Sequence, residues 1–261
     1  MISALYVSKT GLSAQDTALN TISNNLANVS TVGFKRDNAV FQDLLYQVRR
    51  EPGALSSQDS QLPSGLQLGT GVRVTGTAKQ HSQGTLQVTE QGLDVAINGR
   101  GMFQVTLPDG TTGYTRNGQF QLDNTGQIVT ANGFLLEPSI TVPDNVSTLT
   151  ISDDGIVTAV VAGEPNATQL GQIDLADFVN PQGLRAIGNN LFQETDASGA
   201  PITGTPGLDG LGSLRQGSIE NSNVDVVEEL VNMITTQRAY EMNSRVVSTA
   251  DQMLQFISQN L

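Results

Sequence analysis

Residues Val224 to Leu261 read VDVVEELVNMITTQRAYEMNSRVVSTADQMLQFISQNL. An apolar residue occupies every seventh position of this segment, namely Val226, Met233, Tyr240, Val247, Leu254 and Leu261. The segment contains no Gly or Pro, and a sustained seven-residue apolar repeat is typical of a helix that packs along another helix as a coiled coil. At about 1.5 Å per residue, such a helix is roughly 55 Å long. A long amphipathic helix lying on its own domain remains an alternative, because five intervals constrain supercoiling only weakly.

The first thirty residues carry a second, narrower apolar repeat. Its members are Leu5, Leu12, Leu19 and Leu26, with Ile22 beside them. We expect a helix over residues 1–29 that ends near Gly33, where Ser30 and Thr31 supply turn chemistry. A short helix of this kind is marginal alone in water. The two terminal helices are therefore expected to bury their apolar rows against each other or against copies from other chains.

The composition excludes some function classes. Hydrophobic residues make up 38% and aromatic residues 5% of the 261, so the core is thin for a free-standing globule. The net charge is −12, and residues 118–214 hold eleven acidic groups but only one basic group. A nucleic-acid-binding protein needs a basic face to displace counterions, and this chain lacks one.

Targeting signals and cysteine chemistry are also missing from the sequence. The chain has no Cys, which excludes disulfides, thiolate nucleophiles and Cys-ligated metals. Polar residues interrupt the N-terminal segment every few positions, so we expect no cleaved secretory signal. No run approaches 18 apolar residues, so we expect no membrane-spanning segment.

The middle of the chain has the pattern of short strands and turns. Runs such as Leu93–Ile97 and Met102–Leu107 alternate in part, and Pro108-Asp-Gly110 is a turn signal. Further Asp/Asn-Gly clusters follow at strand-length intervals, which is typical of a β-barrel or sandwich. We predict a β-rich domain over 71–211, with extended linkers over 31–70 and 212–223. Asn223 is the expected cap of the last helix, which starts near 224.

Several motifs resemble one bacterial family. The run TISNNLANVSTVGFKR, Thr21 to Arg36, resembles the N-terminal signature of the flagellar rod and hook proteins. LDVAINGRGMFQV and YTRNGQFQLDNTGQIVTANG resemble their β-domain motifs, with Met102 where Phe is more usual. The segment from Ser222 to Leu254 resembles their C-terminal signature, so the resemblance covers nearly the whole chain.

The resemblance implies a fold and a function. In that family both termini form paired helices in the innermost layer of a tube, which implies an α+β fold with helical domains at 1–30 and 224–261. The predicted self-assembly residues are Leu5, Leu12, Leu19, Ile22, Leu26, Val226, Met233, Tyr240, Val247 and Leu254.

Residues 46–67 resemble the insertion of the family's distal-rod branch. On composition alone, their Gly and Pro residues indicate a loop or flexible linker. The resemblance instead implies an extended arm that packs between subunits and stiffens the tube. Its predicted contact residues are Tyr46, Pro52, Leu55, Leu62, Pro63 and Leu66.

The resemblance also implies partners and a location. The chain would assemble with itself as a helical homopolymer, and with the proximal rod protein, hook protein, rod cap and the bushing rings of the cell wall and outer membrane. It would be exported without a cleaved signal and act in the basal body, across the periplasmic space and outer-membrane region.

The sequence offers no enzymatic motif. The single histidine, His81, is expected at a surface or strand edge, with no nucleophile or second His at a motif spacing. Asp153-Asp154-Gly155 is interpreted as a turn, and no metal, cofactor or catalytic residue is predicted. The hypothesis is a structural distal-rod subunit that transmits torque. A proximal rod or hook protein is the alternative within the family, and a cell-wall hydrolase or carbohydrate-binding β-domain is the alternative from another class.

Overall fold

The fold is α+β, with one long helix near each end of the chain and strands between them. A computed structural model describes residues 2–53, 63–162 and 166–259. Helix α1 is Ile2–Ala27 and helix α2 is Val226–Gln259, so both predicted terminal helices are confirmed. Leu261, the last member of the predicted repeat, lies outside the described residues.

Twenty short strands occupy the described part of the middle. In chain order they are β1 (Asp37–Asp43), β2 (Gln47–Arg50), β3 (Leu66–Leu68), β4 (Val72–Lys79), β5 (Leu86–Val88), β6 (Val95–Asn98), β7 (Met102–Thr106), β8 (Thr112–Thr115), β9 (Phe120–Leu122), β10 (Ile128–Thr130), β11 (Leu135–Glu137), β12 (Val146–Ile151), β13 (Ile156–Val161), β14 (Thr168–Gln172), β15 (Leu175–Asp177), β16 (Arg185–Gly188), β17 (Leu191–Gln193), β18 (Ile202–Gly204), β19 (Ser213–Gln216) and β20 (Ser218–Glu220).

The chain divides into two compact units. The terminal unit consists of residues 1–26, 37–78 and 225–261. The central unit consists of residues 27–36 and 79–224. A short piece of N-terminal chain therefore belongs to the same unit as most of the strands.

The central unit is built on one large antiparallel sheet. Its strand order is β16-β17-β8-β7-β11-β10-β9, and β15 pairs with both β7 and β18. Smaller sheets are formed by β12-β13-β14, β19-β6 and β20-β5. The strand-rich prediction is confirmed, but the described strands do not close into a barrel. Strands β19 and β20 also place much of 212–223, predicted as linker, in paired strands.

The core of the central unit is apolar and well enclosed. Phe103 packs edge-to-face on Phe120, with ring centroids 5.1 Å apart. Val157 and Leu175 are fully buried in the same cluster. Close backbone approach is also required here, because a Cβ on Gly118 would lie 1.7 Å from the carbonyl oxygen of Val95. Short strands with one apolar face can build such a core because their side chains alternate between faces.

The terminal unit contains two small ribbons besides the helices. Strand β1 pairs with β4, and β2 pairs antiparallel with β3. The buried Asn25 side chain of α1 donates to the carbonyl of Asp37 at 2.8 Å and accepts from its N–H at 2.9 Å. One side chain thus satisfies both backbone groups of the residue that starts β1.

Helix α2 begins with an aspartate cap. The Asp225 carboxylate accepts from the N–H groups of Val227 at 2.8 Å and Glu228 at 3.2 Å. The prediction that Asn223 caps this helix is therefore wrong. Asn223 instead accepts from the N–H of Arg36 and donates to the carbonyl of Gln80 within the central unit.

Candidate functional site

The predicted self-assembly residues of α1 are only partly covered. Ile22 is buried, whereas Leu5, Leu12, Leu19 and Leu26 are half-buried. The fully buried positions of α1 include small or polar residues, among them Ser8, Ala14 and Asn25.

The predicted row of α2 is more exposed still. Val226, Tyr240 and Leu254 are exposed, and Met233 and Val247 are half-buried. The rest of the helix carries further exposed apolar side chains: Val227, Leu230, Val231, Ile234, Met242, Val246, Met253, Phe256 and Ile257. A helix within a complete globular domain normally buries most of its large apolar side chains.

The covered positions of α2 form a different seven-residue row. Glu229 and Ala250 are buried, and Thr236 and Asn243 between them are half-buried. Asn243 lies beside Gly11 of α1, where an added Cβ would be 3.0 Å from the Asn243 Nδ2 atom. Apolar periodicity does not reveal this row, because most of its members are polar. The signal available in the sequence was the seven-residue spacing of these small or polar residues.

The predicted stiffening arm contains a hairpin. In the β2–β3 ribbon, Gln47 pairs with Leu68 and Val48 with Gln67. Every residue of both strands is exposed. The predicted arm residues Tyr46, Pro52, Pro63 and Leu66 are also exposed, whereas Leu55 and Leu62 lie outside the described residues.

A buried charge cluster, consisting of Lys35, Arg116 and Glu220, lies in the central unit. The Lys35 Nζ and Arg116 Nε donate to the two carboxylate oxygens of Glu220 at 2.7 and 2.8 Å. All three side chains are at least 95% buried. Arg116 also donates to the carbonyls of Gly99 and Gly101, so its planar guanidinium makes several hydrogen bonds at once.

Burial and the oppositely charged neighbours act in opposite directions on the pKa values of Glu220 and Lys35. Burial alone would raise the pKa of the Glu220 carboxyl, but Arg116 and Lys35 outweigh burial and lower it. Burial lowers the pKa of the Lys35 ammonium, and Arg116 adds to that effect, while Glu220 opposes it. Removing one member of such a group leaves an uncompensated buried charge.

Sequence reasoning did not find the charge cluster. Lys35 and Glu220 are 185 residues apart, and Arg116 and Glu220 are 104 apart. Lys35 and Arg116 lie in the G-F-K and Y-T-R motifs, which were the available signal. No local pattern indicates that these residues meet.

The environment of His81 differs from the prediction. The expectation of a surface position is wrong for the ring, because both ring nitrogens are buried. The ring packs edge-to-face on Phe192, with centroids 5.6 Å apart. Among the described residues, no group of three or more potential metal ligands comes together. None of the described helices is long and apolar enough to cross a membrane.

Comparison with known proteins places these features in one family. Three family models match: a flagella basal body rod protein over residues 5–35, the D1 domain of the flagellar hook protein FlgE/F/G over 96–159, and the C-terminal region of the flagellar basal body rod FlgEFG protein over 215–260. The flagellar basal-body rod protein FlgG of Buchnera aphidicola subsp. Acyrthosiphon pisum is 58% identical over 259 residues, covering 99% of this chain and 100% of the relative. The chain belongs to the flagellar basal-body rod protein family.

More distant members of the rod protein family agree along the whole chain. FlgG of Caulobacter vibrioides is 50% identical and covers 98% of each chain. FlgG of Bacillus subtilis is 37% identical, covering 98% of this chain and 97% of the relative. As a rod protein, the chain is a structural subunit of the flagellar basal body. Each matched region contributes one residue to the charge cluster, since Lys35, Arg116 and Glu220 fall in the first, second and third regions.

Proposed function

We propose that this rod protein is a subunit of the distal rod, which polymerises through its terminal helices into a rigid tube and transmits motor torque to the hook. The exposed apolar surface of α2 is the observation that carries the proposal. Val227 is 71% and Phe256 is 69% exposed in the single chain. Fully burying one large apolar side chain contributes about 1.5–3 kcal/mol, so covering this helix is a strong driving force for association.

In the proposed tube, the terminal helices pack as coiled coils. The small and polar row of α2 packs beside α1 within a subunit, at Asn243 and Gly11. The apolar row containing Val226, Tyr240 and Leu254 then remains available for helices of neighbouring subunits. Knobs-into-holes packing of such rows would give a stiff inner wall.

The β2–β3 hairpin supplies the proposed stiffening contact. Within it, Val48, Leu66 and Leu68 present apolar surface, and the directly preceding Leu45 (90% exposed) and Tyr46 add to it. Packed between two neighbours, an ordered ribbon would prevent the sliding that bending requires. Leu55 and Leu62, with Pro52 and Pro63, remain proposed members of this contact.

The proposal extends to partners and location. The tube would join the proximal rod protein below and the hook protein above, assemble beneath the rod cap, and turn inside the bushing rings of the cell wall and outer membrane. The subunit would reach the periplasmic and outer-membrane region by flagellar export without a cleaved signal. Its role would be mechanical, without a catalytic step.

Electron microscopy of polymers of the purified full-length chain tests the proposal. We expect straight tubes from the wild type, and curved or flexible tubes after replacement of residues 47–68 by a Gly/Ser linker of equal length. A matched control changes only Val48 and Leu66, which both lie within that segment, to Ser and keeps the backbone pairing. We expect an intermediate curvature from this control. Linker-bearing tubes as straight as the wild type contradict the stiffening role, and failure of the wild type to polymerise contradicts the assembly role.

A further inference from the structure

The single histidine of the chain faces the buried charge cluster. His81 lies in the segment before β5 and lines a cavity of about 420 Å³, together with Lys35, Arg116 and Pro181. Both ring nitrogens are buried without a well-formed hydrogen bond, and the backbone of Pro181 in the same cavity offers only a weak one. Burial favours the neutral form of such a ring, because it removes much of the water that would solvate a positive charge.

The charges around the ring are mainly positive. Lys35, Lys79 and Arg116 all oppose a positive charge on His81, and the backbone of Pro181 favours it by less. Glu220, the anion of this region, is already bonded to Lys35 and Arg116. The other acidic residue at the cavity, Asp177, forms an ion pair with Arg100, with 2.9 Å between Oδ2 and the guanidinium nitrogen. No uncommitted anion among the described residues of the cavity is positioned to balance a histidinium.

The chain directly after His81 is hydrogen-bonded to two members of the charge cluster, Lys35 and Glu220. The Lys35 Nζ donates to the carbonyl of Ser82 at 2.7 Å. The N–H of Gly84 donates to Glu220 Oε1 at 2.8 Å. A backbone shift that takes the His81 ring out of its site would therefore strain the bonds from Ser82 and Gly84 to Lys35 and Glu220.

We propose that His81 makes the charge cluster an acid-sensitive lock on the central unit. The neutral ring packs on Phe192, and the bonds of Glu220 with Lys35 and Arg116 stay intact. A protonated ring adds a cation beside Lys35, Lys79 and Arg116, so the ring leaves its site and segment 81–84 loosens from Lys35 and Glu220. This property belongs to the central unit of a single chain and does not depend on the proposed rod assembly.

The direction of the effect follows from linkage between protonation and folding. Burial, reinforced by Lys35, Lys79 and Arg116, lowers the pKa of His81 from 6.5 to about 4. The unfolded chain binds this proton more tightly than the folded chain. The stabilisation is therefore complete above pH 6.5 and is lost as the pH falls toward 4. The folding equilibrium constant should fall on the order of a hundredfold from this residue alone, since each pH unit between the two pKa values is worth about tenfold.

The test compares pH-dependent unfolding of the full-length chain with two variants. Urea unfolding is followed by circular dichroism between pH 7.5 and 4.5 for the wild type, for His81→Gln and for His81→Gln with Gln80→His. The last variant moves the only imidazole to the neighbouring exposed position. Carboxylates contribute equally to all three proteins, so the ratios of unfolding constants isolate the histidine.

We expect the wild type to lose stability relative to His81→Gln by at least tenfold across this range, and the moved histidine to show no such loss. The NMR titration of the wild-type imidazole, a single signal in this chain, gives a second readout that needs no variant. We expect its midpoint well below 6. A midpoint near 6.5, or equal pH dependence of wild type and His81→Gln, would overturn the proposal.

Discussion

The two units of the chain treat their apolar residues in opposite ways. In the central unit, Phe103, Val157 and Leu175 are completely buried. In the described part of α2, the buried positions are Glu229 and Ala250, whereas Val231 and Ile234 are exposed. The central unit therefore has its core within one chain. The apolar surface of the terminal unit is consistent with a core that other subunits complete.

The largest expected difference between the units is in the cost of removing one apolar side chain. Phe103→Ala should destabilise the central unit by about 3–5 kcal/mol, because it removes a fully buried ring and leaves a cavity. Ile234→Ala in α2 should change monomer stability by less than about 0.5 kcal/mol, because the side chain is half exposed. Urea unfolding of both purified variants measures the contrast. Similar changes in unfolding free energy for the two variants would contradict the view that the central unit has a complete core and α2 does not.

The charge cluster tests whether the central unit depends on its buried ions. Glu220→Ala should destabilise this unit by about 3–5 kcal/mol, because Lys35 and Arg116 then lose their shared buried anion. The exposed Glu241→Ala in α2 is the matched control and should change stability by less than about 0.5 kcal/mol. If thermal unfolding shows equal changes, the charge cluster does not hold the central unit together.

An effect of intermediate size is expected where α1 meets β1. Asn25→Ala leaves both backbone groups of Asp37 without their side-chain partner and should cost about 1–3 kcal/mol locally. The Asp37 amide should then exchange hydrogen about ten- to a hundredfold faster, as seen by NMR. Ser23→Ala, at an exposed position of the same helix, is the control and should leave that rate unchanged. An unchanged exchange rate of the Asp37 amide in Asn25→Ala would mean that the Asn25 side chain does not hold the start of β1 in place.

The smallest expected effect concerns the start of α2. Asp225→Ala should cost about 1 kcal/mol, because the N–H groups of Val227 and Glu228 lose their acceptor. Asp225→Asn keeps an acceptor and should retain most of the stability. Amide exchange over the first turn distinguishes the two variants. Equal fraying in both would show that charge, rather than the hydrogen bond, stabilises this end of the helix.

Local patterns in the sequence predicted elements better than they predicted contacts. The seven-residue repeats located both helices, because an apolar period reflects local backbone geometry. The turn at Asp109-Gly110 and the strand-rich middle were found in the same way. The expected cap was misplaced by two residues, from Asp225 to Asn223, because both types are good caps and only the tertiary contacts of Asn223 separate them.

Contacts between distant segments were beyond such patterns. Lys35, Arg116 and Glu220 meet only because the sheets bring three remote segments together. The contact of the half-buried Asn243 with Gly11 was also not predicted, because Asn243 is polar and does not belong to an apolar repeat. The predicted assembly residues and the stiffening arm remain predictions, since they concern contacts with other chains.

Hydrogen exchange of the full-length chain, compared before and after polymerisation, tests the central claim most directly. In the monomer, we predict strong protection for the strands around Phe103 and weak protection along α2. In the polymer, protection of α2 should rise by at least tenfold while that of the central unit stays nearly constant. Protection of α2 in the monomer that already equals that of the central strands, or that does not rise on polymerisation, would contradict the account.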